Sequence, residues 1–121
     1  MSIVTYKLLH ILGIVLIVMP LGAMALHLLN GGTRQSNQSR KLLAITHGVG
    51  MLVTLVAGFG MLARLEIGGF PTWVAIKTAI WLVLGGALGI LFRAPGSARA
   101  IWFLAPLLTG LAGWIALHRG F

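Results

Sequence analysis

A chain of 121 residues that is 59% hydrophobic and only 8% charged is not composed like a water-soluble domain, in which about a quarter of residues carry charge. Nine lysines and arginines face a single acid, Glu66, and there is no cysteine. That inventory excludes carboxylate dyads, Ser-His-Asp triads, hard-cation cages, thiolate catalysis and iron–sulfur clusters.

Apolar runs cover about Leu8–Leu29, Leu42–Leu62, Trp73–Phe92 and Ala100–Leu117. Each is near the ~20 residues that carry a helix across ~30 Å of hydrocarbon. The sequence therefore predicts an all-α protein, an integral membrane four-helix bundle with up-down-up-down topology, occupying residues 1–121 as one transmembrane domain. The predicted helices cover 3–29, 42–62, 73–92 and 98–118. The first run is longer than the apolar core of a secretory signal, so it reads as a span.

The connections are polar or carry helix-breaking residues. The first, Asn30–Lys41, reads NGGTRQSNQSRK and turns the chain back after the first helix. The second, Ala63–Thr72, reads ARLEIGGFPT; Gly68, Gly69 and Pro71 end helical structure there, and Thr72 is placed to cap the third helix. The third, Arg93–Arg99, reads RAPGSAR and is short enough to make its flanking helices antiparallel neighbours.

A net charge of +8 in a soluble chain would suggest nucleic acid. Here the basic residues sit mostly in loops and at span ends, so membrane topology and anionic headgroups account for them, and no nucleic-acid partner is expected. The first and third loops carry Arg34, Arg40, Lys41, Arg93 and Arg99. Lys7, Arg64 and Arg119 lie on the other side, with Lys77 inside the third span. The positive-inside rule then puts loops 30–41 and 93–99 in the cytoplasm of a bacterial-type inner membrane, with both termini outside.

Small residues at spacing four let helices approach closely in lipid. Gly50, Thr54 and Gly58 form such a ridge on the second helix, Gly85 and Gly89 on the third, and Ala105, Thr109 and Gly113 on the fourth. These ridges are contact faces within one bundle, or faces for a second copy or a membrane-complex partner. Pro20 and Pro106 each remove a backbone hydrogen bond and are expected to bend their helices near Leu16 and Trp102.

All four histidines lie near span ends. At 1.5 Å per residue, His10 sits roughly 9 Å from the bilayer midplane on the terminal side, with Lys77 at a similar depth of roughly 8 Å. His118 lies further out on that side. His47 and His27 occupy the opposite side, near the basic first loop. Imidazole ligates haem iron, zinc and copper. Haem b between transmembrane helices needs imidazole from one or two helices and an apolar slot, and basic residues at the rim pair with its propionates. This inventory fits haem b better than another cofactor, with His10 as the iron ligand, Lys77 beside it, and His47 with His27 as a second candidate site. Plainer readings stand beside these. His27 and His118 are at interface depth, where a histidine costs little. His47 needs only a neighbouring carbonyl. Lys77, at ~2–3 kcal/mol for an intramembrane charge, reads either as functional or as snorkelling toward the headgroups.

The segment YKLLHILG, Tyr6–Gly13, resembles the start of the HemJ-type protoporphyrinogen IX oxidases, small membrane proteins whose first helix opens with a Lys-x-x-His element. WVAIKTAIWLVLGG, Trp73–Gly86, resembles that family's lysine-bearing third helix, and the ending ALHRGF falls where the family has a short basic-aromatic tail. SirB and CopD-like four-helix membrane proteins share the layout. The chain departs from the pattern after its first helix, where it reads ALHLLNGG in place of a basic, aromatic stretch. The resemblance implies haem b at His10 and Lys77 and an oxidoreductase role. Two functions are thus in view: a haem b-binding redox or haem-related membrane protein, and a cofactor-free accessory or scaffolding subunit. A transporter is disfavoured, since there is no clear inverted repeat and no carboxylate for ion coupling.

Overall fold

The structure, a computed structural model, describes residues 1–119; Gly120 and Phe121, the end of the ALHRGF tail, lie outside the described residues. The chain is 83% helical with no strand among the described residues. Helix α1 spans Ile3–Leu29, α2 Arg40–Arg64, α3 Thr72–Arg93 and α4 Ala98–Arg119, with a single 3₁₀ turn at Pro95–Ser97 before α4. All four α-helices are long and apolar enough to cross a membrane, which makes this a multi-pass membrane protein.

The helices outrun their apolar runs. α2 begins at Arg40 and ends at Arg64, so charged residues supply its outer turns. Backbone hydrogen bonding does not stop where hydrophobicity does, and long basic side chains reach the headgroups from such positions. Ser2 caps α1, its side-chain oxygen accepting from the Thr5 amide at 3.2 Å. Thr72 is not a cap. Pro71 takes the N-cap position of α3, its backbone already extended at φ −57° and ψ 153°, and Thr72 is the first helical residue. α1 and α4 both continue through their internal prolines, Pro20 and Pro106.

Two helices end in the same way. After α1 the amide of Gly31 donates to Leu28 O at 3.1 Å and that of Gly32 to His27 O at 2.9 Å, with Gly31 at φ 85°. After α2 the amide of Glu66 donates to Ala63 O at 3.1 Å and that of Ile67 to Leu62 O at 3.0 Å, with Glu66 at φ 58°. Both are Schellman closures, which satisfy orphan carbonyls by placing one residue in the left-handed region. Glycine takes that conformation freely at Gly31, whereas the acid at Glu66 takes it against its own Cβ.

α1 packs most extensively on α2 and next on α4; α3 lies against α4, α1 approaches α3 across the middle, and α2 and α4 hardly touch. Of the two diagonals of the bundle, the one that joins α1 and α3 is therefore the shorter. The α1–α2 contact is built on small residues. A Cβ on Gly50 would lie 2.8 Å from the backbone of Gly13, Leu16 and Ile17, and one on Gly13 would meet the backbone of Thr54 at 2.7 Å. The ridge Gly50–Thr54–Gly58 is thus an interface inside the bundle. On α3, Gly85 receives the Met51 side chain, while Gly89 faces open space.

The dry core fills the half of the bundle next to the first and third loops. There Ile17, Leu21 and Met24 of α1 meet Leu84, Leu88 and Leu91 of α3 and Ile101 and Ala105 of α4. Two side-chain bonds fasten α3 to α2. His47 Nε2 donates to Leu84 O at 3.0 Å, and Trp81 Nε1 donates to Met51 O at 3.0 Å. In lipid such a donor has no water to turn to, so a carbonyl on the next helix is its natural partner. The first loop is folded on itself, with Thr33 N donating to Ser36 Oγ at 2.8 Å and Ser36 N to Thr33 Oγ1 at 3.0 Å. Arg34 lies 4.9 Å from the centre of the Phe92 ring and ties this loop to the end of α3.

Candidate functional site

Toward the terminal side the bundle opens into a cavity of about 550 Å³ lined by all four helices. The opening follows from side-chain size. The dry half is filled by leucine, isoleucine and methionine, whereas α4 offers the cavity mainly the small residues Thr109, Ala112, Gly113 and Ala116, and α2 interleaves Thr54 and Gly58 with larger apolar side chains. Small side chains on helices that remain apart leave space that the chain does not fill.

Lys7 and His10 reach this cavity from α1, and Trp73, Lys77 and Trp81 from α3. Lys7 and His10 are three positions apart, and each of the α3 residues is four positions from the next, so each set shares one helical face. The rest of the lining is apolar or small, apart from Thr54, Thr78 and Thr109. Lys77 comes close enough to His10 for the two side chains to interact electrostatically.

His10 is held in a defined way. Its Nδ1 lies 2.9 Å from Thr54 O, across the close α1–α2 contact. A carbonyl oxygen only accepts, so Nδ1 is the donor and carries the ring proton. In the neutral imidazole, Nε2 then holds the lone pair. This is the arrangement found behind metal-ligating histidines, whose second nitrogen donates to a carbonyl or carboxylate that fixes ring orientation and tautomer. Gly58 makes room for it, since a Cβ there would stand 3.2 Å from His10 Cε1. Beside it, Thr54 Oγ1 is buried and has no hydrogen-bond partner.

The other histidines lie outside the cavity. His47 is only 6% exposed and spends Nε2 on Leu84 O. His27 directs Nε2 at Thr33 O, 2.9 Å away, with Ser36 Oγ at 3.1 Å, and so fastens the first loop to the end of α1. His118 donates Nδ1 to Trp114 O at 2.8 Å and packs on the Trp114 ring, with centroids 4.3 Å apart. Of the four residues singled out from sequence, His10 and Lys77 come together at one cavity, while His47 and His27 have separate contacts with the protein. Lys7, Trp81 and the Thr54 carbonyl were not singled out. The first two are visible in hindsight as members of the α1 and α3 stripes; a backbone carbonyl leaves no signal in a sequence.

Among the described residues no group of three or more histidines and acids converges. A bare zinc or copper ion needs about four ligands, most of them from protein. A haem iron asks for only one or two, since the porphyrin supplies the rest. One imidazole with a lone pair, apolar walls and cations thus suit a porphyrin better than a bare ion. The volume also lies in the range of roughly 300–1,000 Å³ that small-molecule sites occupy. No protein-family model matches the chain, and no curated protein or solved structure matches it, so the residues of the cavity themselves carry the functional reading.

Proposed function

We propose that this protein binds haem b in the terminal-side cavity, with His10 Nε2 as the iron ligand, and serves a redox or haem-related role in a bacterial-type inner membrane. The observation that carries this reading is the His10 Nδ1 bond to Thr54 O at 2.9 Å, which leaves the other ring nitrogen as the lone-pair donor at an apolar cavity. The likeness of Tyr6–Gly13 and Trp73–Gly86 to HemJ-type oxidases supports the same two positions, His10 and Lys77, and makes an oxidoreductase activity the natural one to test.

Bound there, haem b would supply one-electron chemistry. The protein's part is structural and electrostatic. Thr54 O holds the His10 ring in place. The side chains of Ile14 and Leu84 belong to an apolar lining that excludes water. His47 and Trp81 tie α3 to α2 and so stabilise the bundle around the cavity. The basic residues Arg34, Arg40, Lys41, Arg93 and Arg99 favour loops 30–41 and 93–99 on the cytoplasmic side, which puts the cavity nearer the outer face.

The test is a visible spectrum of the detergent-purified protein, oxidised and dithionite-reduced, after expression with ample haem. A Soret band with sharp reduced α and β bands is the expected result. A flat spectrum from folded protein would overturn the proposal and leave the cofactor-free accessory subunit as the account of the fold.

A further inference from the structure

The cavity carries a charge pattern that axial ligation does not explain. Lys7 and Lys77 reach it from α1 and α3, and among the described residues no acid lines it. The one acid of the chain, Glu66, is exposed in the connection between α2 and α3. Counting from the helix starts, Lys7 is four residues into α1 and Lys77 five residues into α3. At 1.5 Å per residue both therefore sit about 6–8 Å inside the terminal ends of their helices. Two cations at one depth stand on different walls of a slot otherwise lined by apolar or small residues, His10 and three threonines. They suit a ligand with an apolar body and two anionic groups on one edge.

We propose that Lys7 and Lys77 form a pair of anion anchors that select a dicarboxylate ligand for this cavity and fix which edge of it points to the terminal side. The proposal rests on the haem reading above and deepens it: the two lysines take the two propionates, while His10 takes the iron. An ammonium–carboxylate hydrogen bond is shorter and stronger than a neutral one, and in a site of low polarity it gains further. Lys7 is exposed at the rim, and Lys77 is half-buried. Lys7 therefore meets the ligand at the mouth and Lys77 from the opposite wall.

The experiment is an absorbance titration of the full-length protein in detergent micelles with two probes: haem b, and its dimethyl ester, in which both propionates are blocked but the iron remains free for His10. Wild-type protein is expected to bind haem b about 100-fold more tightly than the ester, from two charge-assisted contacts at about tenfold each. Lys7→Gln and Lys77→Gln are each expected to weaken haem binding about tenfold and to leave ester binding unchanged, with Lys7→Arg keeping most of the affinity. Undiminished ester binding also shows that a variant has kept its cavity. Equal binding of both probes by wild type, or haem affinity within about twofold of wild type in both glutamine variants, would overturn the anchor pair while leaving His10 ligation standing. Failure of both probes to bind would overturn the haem reading itself, and the anchors with it.

Discussion

Replacing His10 by alanine is expected to remove at least about nine-tenths of the bound haem, whereas replacing His47 by alanine leaves the haem in place and weakens the fold. The two histidines have similar sequence settings, each inside a span and each with a ring nitrogen on the carbonyl of another helix. They differ in what the remaining nitrogen meets. His10 donates Nδ1 to Thr54 O and lines the cavity. His47 donates Nε2 to Leu84 O and is buried away from it. Loss of the His47 bond between α2 and α3 costs about 1–3 kcal/mol, since a buried polar contact is removed where no water can replace it. Haem-to-protein ratios by pyridine haemochrome, with thermal melting in detergent, separate the two effects. Full haem content in His10→Ala, or haem loss in His47→Ala with unchanged melting, would reverse the assignment.

Gly50→Leu is expected to be the most disruptive single substitution at a helix contact. The first added carbon already lies 2.8 Å from three backbone atoms of α1, and backbone cannot move aside as a flexible side chain can. Overpacking costs typically about 1–3 kcal/mol where side chains can adjust, so a clash with backbone should exceed about 3 kcal/mol. The consequence reaches the site, because the His10–Thr54 bond crosses the same interface one turn further along. Haem content should fall together with stability. Gly89→Ala is the matched control. A Cβ there meets nothing within 4 Å, so the substitution should change stability by less than about 1 kcal/mol, with helix propensity in its favour. Melting curves in detergent micelles that place both variants within experimental error of wild type would show that α1 and α2 do not meet through these glycines.

The helices were legible because spans are written in uninterrupted hydrophobicity, and their ends less so because Arg40, Lys41 and Arg64 continue the helical backbone after the apolar run has stopped. The ridge Gly50–Thr54–Gly58 could be read as a contact face, but not against what; packing on α1 answers that. Gly89, four positions after Gly85, faces open space, and spacing alone has no means of telling an inner face from an outer one. Thr72 looked like a cap because its side chain suits that role, yet the preceding proline already fixes the extended backbone of the N-cap. At the site, matched depth brought His10 and Lys77 under notice, and both line one cavity. Lys7 was absorbed into the topology argument, since a cation at a span end has a ready explanation in the headgroups. The direction of the His47 ring depends on a carbonyl 37 residues away on α3, which no local pattern encodes.

The most direct test of His10 as the iron ligand is chemical rescue. His10→Gly removes the imidazole and leaves its space beside Gly58 and the Thr54 carbonyl, and free imidazole is then added to the purified variant in the presence of haem b. The account predicts little bound haem without imidazole and recovery of the wild-type Soret and reduced α bands with it. Wild-type haem content and spectrum in His10→Gly before any imidazole is added would contradict it.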